Sequence, residues 1–170
     1  VGGAVVQLAK LRGARVVAMA SEAKHGDVAA LGADRLLPRD PGDLEAALAD
    51  EKITIIADVV GGAIWPALID VLARGGRYTC SGAIAGPMVN FDLRTFYLHD
   101  LTFTGSTVID QDVMPRLIGY IEAGKVKPVL AATYALTELH DAQRAFIAKA
   151  HTGNILSLIH ISEPTRRYEI

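Results

Sequence analysis

The chain has 170 residues, the size of a single domain, and its composition of 51% hydrophobic and 21% charged residues excludes disorder over most of its length. A net charge of -2 without a basic run gives no electrostatic footprint for nucleic acid or an anionic membrane surface. The single cysteine, Cys80, excludes an internal disulfide framework and a cysteine zinc cluster. We therefore expect a cytoplasmic protein with no nucleic-acid or membrane partner.

The beginning of the chain carries no visible targeting peptide, and its apolar runs are of strand length, well short of the ~20 residues of a membrane helix. The sequence opens on Val1-Gly2-Gly3, which reads as the middle of a glycine turn. We expect the chain to be a fragment of a longer protein.

Strand and helix patterns alternate along the sequence. The predicted helices cover 3–12, 22–31, 43–50, 64–72, 93–98, 113–123 and 138–149, and the predicted strands cover 15–20, 35–37, 53–60, 77–80 and 101–105. Continuous apolar strands separated by helices of about ten residues are typical of parallel β-α-β units. The predicted fold class is therefore α/β, with a doubly wound parallel sheet.

Ligands of an open parallel sheet bind beyond the carboxyl ends of its strands, where helix N-termini present unpaired N–H groups. Four segments lie at such positions, namely 1–3, 20–21, 59–62 and 80–83, and three of them contain glycine. Glycine lets a backbone approach a pyrophosphate or a nicotinamide closely. The arrangement fits a dinucleotide site, although each glycine alone is more simply a turn residue, and only the end of a G-x-G-x-x-G fingerprint is present.

Several sequence motifs occur in an order that resembles the medium-chain dehydrogenase/reductase superfamily. In the first half these are VGGAVVQLAK at 1–10, LGAD at 31–34, DVVGG at 58–62 and GGRY at 75–78. In the second half SGAIAG at 81–86, DLRT at 92–95, DLT at 100–102, GST at 105–107 and EAGK at 122–125 resemble its quinone oxidoreductase and zinc-type alcohol dehydrogenase branches.

The resemblance implies a partial Rossmann-type NAD(P)-binding domain over 1–155, truncated at its N-terminus so that the first strand is missing. The parent enzyme would transfer hydride to or from a carbonyl or alcohol, a quinone or an activated alkene. Catalytic residues and any zinc ligands would lie in the preceding domain, so none is assigned here. Zinc-dependent alcohol oxidation and zinc-free quinone or enone reduction both remain open, as do a non-catalytic binding or structural role and an inactive fragment.

The residues expected to contact the cofactor lie at the carboxyl ends of the predicted strands. They are Val1, Gly2, Gly3, Ala20, Ser21, Lys24, Val60, Gly61, Ser81, Gly82 and Ala83. An acid after the second strand would repel a 2′-phosphate, whereas small residues beside a cation admit one. The sequence has Ala20, Ser21 and Lys24 there, which favours NADP(H) over NAD(H), unless Ser21 is only a helix N-cap and Lys24 a solvated charge, since the acid Glu22 also sits close.

Two further features follow from the same pattern. Asp58 ends an apolar strand, so we expect its carboxylate to receive hydrogen bonds, either as structural support or near the cofactor. The segment 101–106 resembles the family's edge strand, which implies a homodimer in the intact enzyme, although it could be any covered strand.

The last residues depart from the family pattern. From Leu156 onward the string LSLIHISEPTRRYEI resembles a translated sequencing-library adapter. We expect 156–170 to be a non-native tail without function, the alternative being a genuine divergent tail.

Overall fold

The computed structural model describes residues 1–157, and it divides the chain into two compact units, Val1–Ile118 and Gly119 onward. The helices are α1 (Gly2–Leu11), α2 (His25–Ala30), α3 (Leu44–Ala47), α4 (Trp65–Asp70), α5 (Leu93–Leu98), α6 (Val113–Glu122) and α7 (Leu139–Ala148). The strands are β1 (Val17–Met19), β2 (Arg35–Leu37), β3 (Ile53–Asp58), β4 (Leu72–Cys80), β5 (Thr102–Gly105), β6 (Leu130–Tyr134) and β7 (Asn154–Ser157). Single 3-10 turns cover Glu22–Lys24 and Leu136–Glu138. This alternation confirms the predicted α/β class.

Every strand pairing among the described residues is parallel. In the first unit, β1 pairs with β2, and β3, β4 and β5 form a three-stranded sheet in that order. In the second unit, β6 pairs with β7. Over residues 1–157 the second edges of β1 and β3 pair with no strand, which is the pattern of a Rossmann-type sheet without its first strand.

An aromatic cluster covers one face of the three-stranded sheet. Its buried members are Trp65, Ile69, Leu72, Tyr78 and Leu101, with Phe91, Phe96 and Phe103 packed against them. The Trp65 ring meets Phe91 edge-on at 5.2 Å between centroids, a favourable arrangement for aromatic pairs. Proline at the start of α4 and the Asp92 carboxylate, which accepts a hydrogen bond from the Arg94 N–H, fix where α4 and α5 begin.

A second cluster joins the β1–β2 sheet to the beginning of β3. Leu37, Leu44 and Leu48 are buried in it, and Met19 and Ile53 pack against them. Helix α3 is held in place by the side chain of Asp43, which accepts a hydrogen bond from the Ala46 N–H at 3.0 Å. Arg15 and Arg35 both pair with Glu51 near the starts of the strands. This cluster and the ion pairs thus connect the β1–β2 sheet with α3 and with the beginning of β3.

The structure differs from the predicted elements in several places. Strand β4 begins at Leu72 rather than at 77, because Leu72 already pairs with Ile53 before a register shift. Helix α3 ends at Ala47 rather than at 50, and the segment after Ser21 begins as a 3-10 turn. Strand β6 was not predicted, because it forms by pairing with the distant segment β7, which local propensity does not contain.

Strand β7 includes the first two residues of the segment predicted to be a non-native tail. Leu156 and Ser157 pair with Thr133 and Tyr134 of β6. The rest of that segment, 158–170, lies outside the described residues. The adapter-like origin of the tail therefore stays a prediction.

No helix among residues 1–157 is long and apolar enough to cross a membrane.

The packing of Ile69 generates a stability prediction. Its side chain is 1% exposed at the centre of the aromatic cluster, so Ile69→Ala leaves a cavity and should lower the free energy of unfolding by about 2–5 kcal/mol. Urea unfolding measures this change. Ile84→Ala is the matched control, because Ile84 is 81% exposed, and its effect should stay within about 0.5 kcal/mol. Equal losses from both variants would contradict the packing described.

Asp34 generates a pH-dependent prediction. Its carboxylate binds Lys10 Nζ at 2.8 and 2.9 Å and accepts a hydrogen bond from the Val16 N–H at 2.7 Å, and both contacts hold the pKa of Asp34 below its ordinary 3.8. A lowered pKa stabilises the folded protein above pH 4 and ceases to do so as the pH falls through the folded-state value. Asp34→Asn should therefore be less stable than the wild type at pH 7, with the difference shrinking towards pH 3 in urea titrations.

The control for this prediction is Asp110→Asn, an exposed carboxylate with no ion pair among the described residues. It should show no comparable change between the two pH values. A stability difference for Asp34→Asn that is the same at pH 7 and pH 3 would contradict the role given to the ionised carboxylate.

Candidate functional site

The carboxyl end of β3 is organised around the buried carboxylate of Asp58, which is 7% exposed. Its Oδ1 accepts hydrogen bonds from the N–H groups of Val60 and Gly61 at 2.8 and 2.9 Å, and its Oδ2 accepts one from the Tyr78 hydroxyl at 2.8 Å. Three donors satisfy a carboxylate that would otherwise be costly to bury. The prediction that Asp58 receives hydrogen bonds is confirmed.

Tyr78 supplies the side-chain donor of this network. Burial, together with the neighbouring Asp58 carboxylate, raises the pKa of the Tyr78 phenol above its ordinary value of 10.0. The hydroxyl therefore stays protonated and keeps donating across the physiological pH range. Sequence reasoning missed this residue. The only signal was its position on β4, where it pairs with Ile56, two residues before Asp58 on the neighbouring strand.

The loops that follow β3 and β4 are hydrogen-bonded to each other. The Ala85 N–H donates to the Val60 carbonyl at 2.9 Å, and the Gly62 N–H donates to the Gly86 carbonyl at 3.1 Å. Gly61 has a left-handed φ of +64°, and a Cβ there would lie 2.9 Å from the Gly86 carbonyl oxygen. The loops can approach this closely only because a glycine stands at this position.

Gly82 has the same function on the opposite loop. A Cβ at Gly82 would lie 2.8 Å from the Val59 carbonyl oxygen. The sheet pattern continues past the strand here, because the Ser81 N–H donates to the Asp58 carbonyl at 3.0 Å. Contacts within the protein thus account for Gly61 and Gly82, whatever ligand lies above them.

The N-terminus of α1 reaches the same edge of the sheet. A Cβ added at Gly2 would lie 3.9 Å from the Val59 side chain, and Gly2 itself is exposed. The first intrahelical hydrogen bonds run from the Ala4 and Val5 N–H groups to the Val1 carbonyl, so the N–H groups of Gly2 and Gly3 precede them. The first turn contains no acidic residue. This arrangement suits an anion.

Ala20, Ser21 and Lys24 lie at the carboxyl end of the other sheet in this unit. The Ala20 N–H donates to the Leu37 carbonyl at 3.1 Å, and the His25 ring nitrogen lies 3.1 Å from the Ala20 carbonyl. Ser21 occupies the N-cap position of the 3-10 turn, but its side chain makes no capping hydrogen bond. Its hydroxyl is therefore not used as the simple cap that was the alternative reading of this position.

The structure thus brings two groups of predicted cofactor residues to strand ends. Gly2 lies beside Val59, and Gly82 packs on the same residue, so the α1 terminus and the loops after β3 and β4 are contiguous. Ser21 and Lys24 lie after β1, before and in the 3-10 turn that follows this strand of the β1–β2 sheet. The backbone N–H groups of Val60 and Gly61 are taken by Asp58, so neither residue offers a ligand a backbone donor.

The family model described as zinc-binding dehydrogenase matches residues 1–123, and the chain belongs to this family. The resemblance to the medium-chain dehydrogenase/reductase superfamily is confirmed. No group of three or more histidine, cysteine, aspartate or glutamate side chains within residues 1–157 is placed to hold a metal ion. These residues do not fit a zinc site, and we derive no chemistry through zinc from them.

Individual relatives are oxidoreductases of more than one kind. The chain is 32% identical over 92% of its length to the NADPH-dependent alkenal/one oxidoreductase of Arabidopsis thaliana chloroplasts, covering 37% of that protein. A provisionally named alcohol dehydrogenase from Sinorhizobium meliloti 1021 superposes with a TM-score of 0.85 at 41% identity, over 91% of this chain and 44% of that one. An NAD-dependent alcohol dehydrogenase superposes with a TM-score of 0.80 at 27% identity, over 91% and 47%.

The chain therefore spans less than half the length of each of these three relatives. The shared part includes the strand ends and loops described above. Two of the names state different cofactors, NADPH and NAD, and the three names divide between an alkenal/one oxidoreductase and alcohol dehydrogenases. Membership of the family settles the class of protein, and the preferred cofactor and substrate remain matters for proposal.

The contact between the loops generates a prediction at Gly82. Gly82→Ala forces its Cβ against the Val59 carbonyl, so we expect a loss of about 1–3 kcal/mol in the free energy of unfolding. Gly26→Ala is the control, because nothing lies within 4 Å of a Cβ there and the position is helical, where alanine is favoured. Thermal unfolding followed by circular dichroism compares them. A Gly82→Ala protein as stable as Gly26→Ala would show that the loops do not pack this closely.

Proposed function

We propose that this chain is the NAD(P)(H)-binding domain of an oxidoreductase that transfers hydride to or from a small-molecule carbonyl or alcohol, quinone or activated alkene. The single observation that carries the proposal is the exposed N-terminus of α1 at the edge where the loops after β3 and β4 meet. An anion-binding helix terminus beside the carboxyl ends of parallel strands is the arrangement that dinucleotides use. Family membership supports the same conclusion.

Each part of the cofactor has proposed partners in the chain. The N–H groups of Gly2 and Gly3, with Val1 before them, would hold the pyrophosphate. Val60, whose side chain is 40% exposed, and Ala83, with Ser81 and Gly82 beside it, would contact the nicotinamide. When bound, the nicotinamide supplies or accepts the hydride, while the protein binds and orients it.

We further propose that NADP(H) is preferred to NAD(H). Ser21 has no capping hydrogen bond, and Lys24 follows it within one turn, so a hydroxyl and an ammonium group stand where a 2′-phosphate would lie. The NADPH-dependent relative from Arabidopsis thaliana supports this preference, whereas the NAD-dependent alcohol dehydrogenase opposes it. The residues of the chain leave zinc-dependent alcohol oxidation and zinc-free enone reduction open as substrate chemistry.

A homodimer formed through β5 belongs to the same proposal. Strand β5 pairs with β4 on one side, and no strand among residues 1–157 pairs with its other edge. A second copy pairing antiparallel along Thr102–Gly105, the part of the predicted segment 101–106 that forms the strand, would satisfy these backbone groups. Sedimentation of the purified enzyme tests this, and a monomer would contradict it.

The experiment that tests the main proposal is a binding titration. We would express the complete reading frame that contains this chain, titrate NADPH and NADH by nicotinamide fluorescence, and assay bound zinc. Tight NADPH binding without zinc is the expected result for a reductase. Zinc with a preference for NADH would contradict the cofactor assignment and indicate an alcohol dehydrogenase. Binding of neither nucleotide would favour a non-catalytic role or an inactive fragment.

The 2′-phosphate assignment generates a further prediction. Ser21→Asp places a negative charge beside the 2′-phosphate, so the Kd for NADPH should rise about tenfold or more, while the Kd for NADH changes less than about threefold. Lys24→Ala should weaken NADPH binding in the same direction. Lys52→Ala, an exposed lysine before β3, is the matched control and should leave the ratio of the two Kd values unchanged. Equal effects on both nucleotides would contradict the assignment.

A further inference from the structure

The hydroxyl of Tyr78 does more than the packing of its ring requires. The ring is 5% exposed and lies 5.8 Å from Trp65 and 5.4 Å from Phe103 between centroids. A phenylalanine would fill the same space without bringing a polar group into an apolar cluster. The hydroxyl is accommodated because it donates to Asp58 Oδ2 at 2.8 Å. The aromatic core and the loop after β3 are thus joined by one hydrogen bond.

The two oxygens of Asp58 have separate partners. Oδ2 is held from the core by Tyr78, and Oδ1 accepts both successive N–H groups of the turn, those of Val60 and Gly61. Fixing Oδ2 fixes the plane of the carboxylate, and with it the point on which both N–H groups converge. The orientation of the turn therefore depends on a hydroxyl that lies on the neighbouring strand.

The orientation of this turn determines which side chains face the edge of the sheet. With its N–H directed at Asp58, Val60 directs its carbonyl to the Ala85 N–H at 2.9 Å, which joins the two loops. Val60 is left 40% exposed, and Ala83 lies next to Gly61. Val60 and Ala83 are the surfaces proposed above for the nicotinamide.

We propose that Tyr78 is a positioning residue that acts through Asp58, setting the turn at Val60 and Gly61 in the orientation that receives the nicotinamide end of the cofactor. The proposal rests on the proposed function, since it requires the nicotinamide to lie at this turn. It assigns no contact between Tyr78 and the cofactor. The α1 N-terminus and Ser21, proposed for the pyrophosphate and the 2′-phosphate, make no hydrogen bond to this pair among the described residues.

Because the Tyr78–Asp58 pair is assigned to the nicotinamide end alone, its loss should affect the binding of some nucleotides and not of others. In the protein expressed from the complete reading frame, Tyr78→Phe should raise the Kd for NADPH about five- to tenfold, in line with the typical net contribution of one hydrogen bond. The Kd for 2′,5′-ADP, which has the adenosine phosphates but no nicotinamide, should change less than about twofold. A general loss of stability would weaken the binding of NADPH and of 2′,5′-ADP together. The measured quantity is the ratio of the two Kd values.

Phe103→Leu is the matched control. Phe103 packs against the Tyr78 ring in the same cluster but has no polar group directed at Asp58. It should destabilise the core and leave the ratio of the two Kd values unchanged. If Tyr78→Phe leaves the ratio unchanged, or if Phe103→Leu shifts it equally, the proposal is wrong. If the wild-type protein binds neither probe, the proposed function itself has failed.

A second measurement avoids dependence on the folding of the variant. In the nucleotide-free wild type, hydrogen exchange of the Val60 and Gly61 amides should already be slow, because Asp58 holds both before any ligand binds. Rapid exchange of these two amides without nucleotide, slowed only when NADPH is added, would show that the ligand and not the Tyr78–Asp58 pair sets the turn.

Discussion

A buried carboxylate needs hydrogen-bond donors for both of its oxygens, and at Asp58 this requirement determines the local structure. The need is met by two backbone N–H groups from the chain that follows and by one hydroxyl from the neighbouring strand. Because the donors come from the turn and from β4, the same interaction ends the strand, bends the chain and ties the turn to the aromatic core. The loops after β3 and β4 then meet at hydrogen-bond distance.

This constraint changes how the glycines at the sheet edge are understood. A glycine-rich edge is commonly read as room left for a ligand, yet Gly61 and Gly82 are each closed off by backbone atoms of the opposite loop. Gly2 differs, since it is exposed and, among residues 1–157, a Cβ there would come within 4 Å of the end of the Val59 side chain alone. On the proposed function, the anion lies at the helix terminus, and the loops provide an apolar wall beside it. The glycines at this edge therefore have two different physical explanations. Gly61 and Gly82 allow the loops to pack closely, whereas Gly2 leaves the helix terminus exposed.

The sequence was sufficient to predict the alternation of strands and helices. For β2 and α5 it also predicted the observed bounds. Local signals explain this success, because Asp92 caps α5 and a short apolar run forms β2. The early start of β4 and the strand β6 depend on pairing with distant residues, which local propensity does not contain. For the site, a burial argument predicted donors to Asp58, but Tyr78 could be found only once the register of β3 and β4 was known.

Selective glycine labelling tests most directly whether the α1 N-terminus is the anion site and the hydrogen-bonded loops after β3 and β4 are its wall. This chain has 16 glycines, so ¹⁵N-glycine labelling of the complete protein places an amide probe at each of these positions. On addition of NADPH we predict large shifts at Gly2 and Gly3, smaller shifts at Gly61 and Gly82, and none at Gly26 or Gly42. Unchanged signals at Gly2 and Gly3 with saturating nucleotide bound would contradict the account.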